Sequence, residues 1–384
     1  MNPIPDNVRR RRQRPRRSGT IVVLTVFMMV VLFAALAFAI DLGVVFTAQT
    51  EMQRTADSAA IAGAWNLLEQ ELEAPAAFQK TAPVYNTAVQ FASFNPVLNA
   101  APQLGDGDVT IGRIDDLADR EAAIDTSPVN HYNAVEVRVR RNQDRNGELP
   151  LFFARVMGFE SVASDLSAMA GYYGAFSGFR TPSDGSNLGI LPIALDQNTW
   201  DNLVDNKIGT DNFSWNPDTK QVESGSDGIL EVNLYPQGVG LPGNRGTVDI
   251  GSSGNSTADI KRQILEGISP EDLAHHGGKL EFVNGVLPLN GDTGISAAVK
   301  DQLNQIKGSP RCIPVFSSAS GNGNNANFTI VKFVGVRILE VQLTGKMSSK
   351  RVMVQPAGTI IRGGIPNTGT NHTEFVYSPV VLAR

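Results

Sequence analysis

The chain of 384 residues has a single cysteine, Cys312, so no intrachain disulfide can form and its redox compartment leaves no mark on the sequence. Histidine is almost as scarce, with four residues at 131, 275, 276 and 372. Only His275 and His276 adjoin, and no third ligand stands near them, so a solvated turn beside Gly277 and Gly278 is expected rather than a zinc site. No G-x-G-x-x-G or G-x-x-x-x-G-K-[ST] spacing occurs, and the glycine-rich stretch GNRGTVDIGSSGNSTADI reads as a turn-rich connection from strand to helix. There is no Gly-x-Ser-x-Gly, and Cys312 has no histidine placed by sequence to activate it. Asn142, Asp144, Asn146 and Glu148 alternate like half a calcium loop, but the twelfth position is Phe153, so a polar turn is the expectation. These absences lead us to expect no catalytic residue, no cofactor and no metal. Folding can still assemble distant residues, so the alternative of a membrane-tethered ligand-binding receptor or enzyme stays open.

The most informative absence is one of charge. From Ser18 to Ile40 there are 23 residues without a single charged side chain. A spanning helix needs about 20 apolar residues at roughly 1.5 Å each, and Ile, Val, Leu and Phe dominate this run. Asp41 ends it, at the boundary where headgroups and water are within reach. Arg9, Arg10, Arg11, Arg12, Arg14, Arg16 and Arg17 precede it against Asp6 alone, a net of +6 in residues 1–17, which leaves −11 on the rest of a chain whose total is −5. An acidic body does not suit nucleic acid, whose phosphates need cations. Arginines beside an apolar run mark its cytoplasmic flank. The expected topology is therefore a basic cytoplasmic tail (1–17), a transmembrane helix (18–41) and an extracytoplasmic body. A secretory signal is the rival, with Ala37-Phe38-Ala39 as a cleavage site, but such signals carry apolar runs of about 7–15 residues, shorter than this one.

Beyond Asp41 the stretch TAQTEMQRTADSAAIAGAWNLLEQEL is rich in good helix formers and has no proline until Pro75. Ala48, Met52, Ala56, Ala59 and Gly63 recur three and four apart, following Val45, and so share one helix face. Gln49, Glu51, Arg54, Asp57 and Glu69 are expected on the other face. A stalk helix is predicted over 42–73, continuous with the span. A face of alanine and glycine allows another backbone to approach closely. The partner could be this chain's own body, a second copy or another protein, and the sequence does not choose.

The run RRSGTIVVLTVFMMVVLFAALAFAIDLG followed by EMQRTADSAAIAGAWNL closely resembles the N-terminal region of TadG-like proteins, of the TadE/TadG group in the bacterial tight-adherence (Flp) pilus apparatus. The likeness covers about Arg16 to Leu68. It rests on an Arg-Arg-Ser-Gly start, an apolar span ending in Asp-Leu-Gly, and Gln53, Ala56, Asp57, Ala59, Ala60, Ala62 and Gly63 in the family's Gln-x-x-Ala-Asp-x-Ala-Ala-x-Ala-Gly order. The resemblance implies a membrane anchor, partners in the pilus or secretion machinery, and a non-enzymatic role in assembling or anchoring the pilus. The chain departs from pilins in having no glutamate between Arg17 and Glu51, and from longer TadG-like proteins in lacking an Asp-x-Ser-x-Ser metal motif.

The body is expected to be α+β. NAVEVRVRR alternates with Val135, Val137 and Val139 on one face, the pattern of a half-buried strand. With a helix near residues 76–95 interrupted by Pro83, a strand in DVTIGRIDD, a short apolar helix in ELPLFFARVMGF and a strand in ESVASDLSAMAGYY, it predicts a small α+β module over 74–178. The stretch FSGFRTPSDGSNLG reads as a linker, with 179–189 between modules. Residues 190–384 predict a mostly antiparallel β module with two helices, STADIKRQILEGI capped at Ser256 or Thr257, and ISAAVKDQLNQIKG. The apolar run NFTIVKFVGVRILEVQLTG is longer than an ordinary strand of about 5–6 residues and is expected to bend at Gly335 or form a long curved ribbon.

Overall fold

A computed structural model describes residues 18–74, 78–119, 121–127, 132–235, 245–251, 256–321, 325–367 and 371–383. The seven N-terminal arginines lie outside these residues.

Helix α1 (Ser18–Glu73) runs unbroken for 56 residues. At about 1.5 Å per residue it is roughly 84 Å long. Helix α2 (Thr81–Ser93) packs beside its second half. Pro83 falls in the first turn of α2, where a backbone N–H has no helical partner, so the proline removes no bond. Six short strands follow: β1 (Val109–Gly112), β2 (Ala134–Arg141), β3 (Leu149–Pro150), β4 (Ser161–Val162), β5 (Ser164–Gly171) and β6 (Phe176–Arg180).

β1, β2 and β5 form an antiparallel sheet whose fourth strand is the C-terminal Val381–Leu382. Val135, Val137 and Val139 are fully buried and sit opposite Ala170, Ala168 and Leu166 of β5. This face packs on α1, forming one core with Ala56, Ala59, Ala88 and Leu149. On the other face Ala134 and Met169 meet Ile114 and Leu117 in a separate small cluster. The expected short helix in ELPLFFARVMGF is a single 3-10 turn, Ala154–Met157.

The Gly/Ser-rich stretch expected as a linker is instead structured at its start. β6 pairs with Lys279–Glu281 on one side and Gly364–Pro366 on the other. Its glycine misled the sequence reading. Gly178 has φ 153°, and a Cβ there would lie 2.1 Å from the carbonyl oxygen of Leu280, so only glycine permits this approach of two strands. Phe176 and Phe179 on either side are fully buried.

The second half of the chain is built on the strand Ala326–Gln342, 17 residues long. It stays continuous, with irregular pairing near Ile338 and Glu340 and, against Pro310–Ser320, at Val331. It pairs with Leu287–Asp292, which pairs with Arg245–Val248, then Ile193–Asp196, then in parallel with Pro310–Ser320. Pro310–Ser320 pairs back onto Ala326–Gln342, closing a five-strand ring that removes free edges. Arg351–Pro356 and Val232–Asn233 extend from the far half of the long strand. Successive residues alternate between two cores. Ile193, Leu195, Ile313 and Val315 belong to one, and Ala194, Cys312, Phe316 and Phe328 to the other.

The two helices expected here are present, Thr257–Glu266 capped by the Ser256 side chain and Lys300–Gln305 preceded by a 3-10 turn at Ala297–Val299. Two further ones, Gln197–Val204 and Pro270–Ala274, were not anticipated. At eight and five residues they are too short to show a helical repeat, and their caps, Asp196 and the Ser269–Asp272 capping box, carry the signal instead. The protein is thus α+β with a β-rich C-terminal body, but the halves are not separate in sequence. Val381–Leu382 returns to the first sheet, and Tyr377 lies in the core formed around α1.

Candidate functional site

Among the described residues, none encloses the first half of α1 from Ile21 to Ile40. Ile21 is 67% exposed, Phe27 63%, Leu32 67% and Phe33 54%. Leaving each such side chain in water forgoes about 1.5–3 kcal/mol relative to burial, a sum that a folded chain does not bear along a whole helix. Among the described residues this is one helix long and apolar enough to cross a membrane by length and composition. Thr25 donates its hydroxyl to the carbonyl of Ile21 at 2.9 Å, so its one polar group is satisfied within the helix, as hydrocarbon requires.

The second half is enclosed. Ala48, Met52, Ala56 and Ala59 are fully buried and Gly63 is buried with them. Their neighbours are α2 through Val84, Ala88 and Ala92, and the sheet through Val135, Ala168 and Ala170. A Cβ on Gly63 would stand 3.1 Å from Cγ1 of Val135 and 3.6 Å from Cβ of Ala88. The small-residue face is therefore occupied by this chain's own body, and a second copy has no room there. The segment predicted as a stalk is the spine of the first module.

The polar face also differs from the sequence reading. Arg54 is exposed, but Glu51 is half-buried and its carboxylate accepts the backbone N–H of Leu98 at 2.7 Å. Leu98 sits at φ 48°, a strained position that this bond helps to fix. Thr55, fully buried, donates its hydroxyl to the carbonyls of Glu51 and Asn95, both at 2.8 Å.

Asp41 is the residue whose role the sequence hid. It is buried, at 4% exposure, and faces the protein instead of headgroups. Its carboxylate accepts the N–H groups of Phe152 (2.8 Å), Phe153 (3.0 Å) and Ala154 (2.7 Å). These are the free donors that open the 3-10 turn Ala154–Met157, so one anion satisfies three backbone groups at a positive helix end. The bonds tie a loop more than 110 residues away to the point where the apolar span ends.

At the opposite end of α1, Tyr377 donates its hydroxyl to Glu71 at 2.7 Å and packs edge-on against Tyr172, ring centroids 5.7 Å apart. Burial, with the neighbouring Glu71 charge, holds both tyrosine hydroxyls far above their usual range, so they stay neutral. They border a cavity of about 430 Å³ between the two halves, lined also by Asn133, Asp205 and Glu374. Behind it Lys332 pairs with Asp201 (3.0 Å) and Glu374 (2.6 Å), and Glu374 also accepts from Trp200 Nε1 at 2.6 Å. Burial opposes the Lys332 charge, but the two carboxylates overcome it and raise its pKa.

No described group of three or more His, Cys, Asp or Glu side chains is placed to hold a metal. His275 and His276 lie in a turn with Gly277 and Gly278 both at positive φ, but only His275 is exposed as expected; His276 is half-buried, and that burial lowers its pKa. Asn142 closes a polar turn by accepting the N–H groups of Asp144 and Arg145. Cys312 is buried, which pushes its thiol pKa up and leaves it inert as a nucleophile.

Comparison with known families yields two overlapping matches. Residues 19–66 match the Flp pilus-assembly TadE/G-like family, and residues 62–170 match the Tad-like Flp pilus-assembly family called Tad_C. Together these cover α1, α2 and the first sheet as far as β5. Comparisons with curated proteins and with solved structures return no match.

Proposed function

We propose, on the premise that this chain is a TadG-like protein of the Flp pilus-assembly group, that it is a non-enzymatic component which fixes a folded body to the outer side of the membrane where the pilus is assembled. The observation that carries this reading is the continuity of α1. One helix serves as the membrane span and as the buried spine of the first module, so force on the body passes into the bilayer without a flexible joint. The arginines of residues 9–17 place the N-terminus in the cytoplasm by the positive-inside rule. The β-rich half then faces outward, toward partners in the pilus or secretion machinery. Any self-association uses surfaces other than the Ala48–Gly63 face.

A C-terminal alkaline phosphatase fusion is expected to be active, and a C-terminal fluorescent protein that matures only in the cytosol is expected to be dark. The opposite pattern overturns the orientation. Deleting the chain should abolish pili, and normal piliation without it would remove the assembly role. The cavity beside Tyr172 and Tyr377 favours a second reading, a ligand-binding body. In that case Tyr377→Phe, which keeps the ring and loses the bond to Glu71, would impair function while leaving membrane anchoring intact.

A further inference from the structure

The body carries an apolar surface that its core does not use. Between β3 and β4 the chain projects a turn bearing Phe152 (56% exposed), Phe153 (45%), Val156 (91%), Met157 (69%) and Phe159 (62%). Five large exposed apolar side chains within eight residues are not an ordinary soluble surface. Nor is the turn loosely held. Asp41 binds its first N–H groups, the N–H of Phe159 donates to the carbonyl of Ala154 at 3.1 Å, and Gly158 closes it at φ 91°. The N–H of Leu151 donates to the carbonyl of Glu160 at 2.9 Å across its base.

Its position identifies what covers it. From Ser18 to Asp41 the helix rises about 35 Å, against a hydrocarbon thickness of about 30 Å. Asp41 therefore marks the outer boundary of the bilayer, and the carboxylate that ends the span is the one that holds the turn. Phe38, Leu42 and Phe46 of α1, spaced four apart on either side of Asp41 in the sequence, are exposed apolar side chains as well. Arg155, exposed in the middle of the turn, offers a cation at headgroup level.

We infer that the Phe152–Phe159 turn is a second membrane contact, seated in the outer interface of the bilayer and latched to the span by Asp41. Two points of contact fix the body's tilt, which one helix alone leaves free to rotate. The inference rests on the reading of α1 as a membrane span.

The test uses the full chain with Cys312→Ala, reconstituted in vesicles of phosphatidylethanolamine and phosphatidylglycerol. Single cysteines at Val31, Val156 and Asp218 are labelled with an environment-sensitive fluorophore and quenched with brominated lipids. The expected result is strong quenching at Val31, quenching at Val156 at least half as strong, and at least five-fold less at the exposed Asp218. Quenching at Val31 with none at Val156 overturns the inference and leaves the span intact. Absence of quenching at both overturns the span and the inference together. A label at Val156 that escapes lipid quenching but shows label-to-label contact between copies assigns the turn to self-association and likewise overturns it. Val156→Asp with Met157→Asp, at positions where both side chains are exposed, should lower quenching of a label at Phe159 at least three-fold without changing the circular dichroism.

Discussion

The two halves of α1 are one helix in two solvents, and their compositions are reversed. In residues 21–40 the large side chains point outward and are exposed all round. In residues 45–68 alanines and a glycine are buried, and large exposed residues such as Ile61 and Trp65 lie on the outer side. Lipid gives no hydrophobic reason for helices to meet, so the membrane half gains from surface-covering Val, Leu and Phe. The body half brings a sheet and a second helix close to its axis, and from Ala48 to Ala64 its buried face is mainly alanine, with Met52 the large exception and Leu67 and Leu68 buried beyond it. Asp41 stands where the exposed stretch gives way to the buried one.

The largest effect should come from charge in the first half. Val30→Asp puts a carboxylate near the middle of the span, at about 2.5–3.5 kcal/mol. The expected outcome is a marked fall in the membrane fraction after carbonate extraction, with pili lost as well. Retention in the membrane at the wild-type level would break the comparison at its root.

The reversal of size gives a matched pair. Ala59→Leu should force the sheet and α2 away from α1 and cost about 1–3 kcal/mol, as overpacking does. Ala35→Leu, the same enlargement at an exposed position of the apolar half, should leave stability unchanged within about 0.5 kcal/mol. Thermal melting of both variants in mild detergent checks this. Equal melting temperatures would mean that the two halves do not differ as described.

Asp41→Ala tests the junction. Three N–H groups lose a charged acceptor for which water is only a partial substitute, so the turn should open more readily. The local readout is faster amide exchange at Phe152, Phe153 and Ala154, with little change in the amides of Val135 and Val137. Unchanged exchange in the turn would show that Asp41 does not hold it.

How much of this was visible in the sequence depended on the range of the interaction. The span, the Ala48–Gly63 face and the Val135–Val139 alternation are periodic signals within one element, and the structure places each of those side chains accordingly. The closed ring of strands, the return of Val381–Leu382 to β5 and the bond from Tyr377 to Glu71 join residues far apart, and no local pattern announces them. β6 was misread because Gly178 serves a close approach between strands, although glycine beside serine and proline ordinarily signals a loop. Asp41 was given the wrong partner, since a carboxylate at the end of an apolar run says nothing about a turn beyond residue 150. The run LPLFFARVMGF has the composition of a buried helix, and the exposure of five of its large apolar residues shows only in the structure.

The smallest test sharpens the boundary between the faces of α1 within the body. The sequence put Glu51 and Arg54 together on a solvated face, and for such sites a change to alanine falls within about 0.5 kcal/mol. Arg54 is exposed, and Arg54→Ala should obey that limit. Glu51 differs because its carboxylate holds the N–H of Leu98 at 2.7 Å, beside a backbone angle that leucine seldom adopts. Hydrogen bonds to charged groups contribute about 1.5–3 kcal/mol when buried, and half-burial here places the expected loss for Glu51→Ala near 1 kcal/mol. Glu51→Gln keeps an acceptor without the charge and should recover part of that loss. Denaturant titration of the three variants, read in the same detergent, gives the order Arg54→Ala, Glu51→Gln, Glu51→Ala from most to least stable. If Glu51→Ala and Arg54→Ala fall together near the wild type, the carboxylate does not secure the loop at Leu98, and the solvated face of α1 is as wide as the sequence alone suggested.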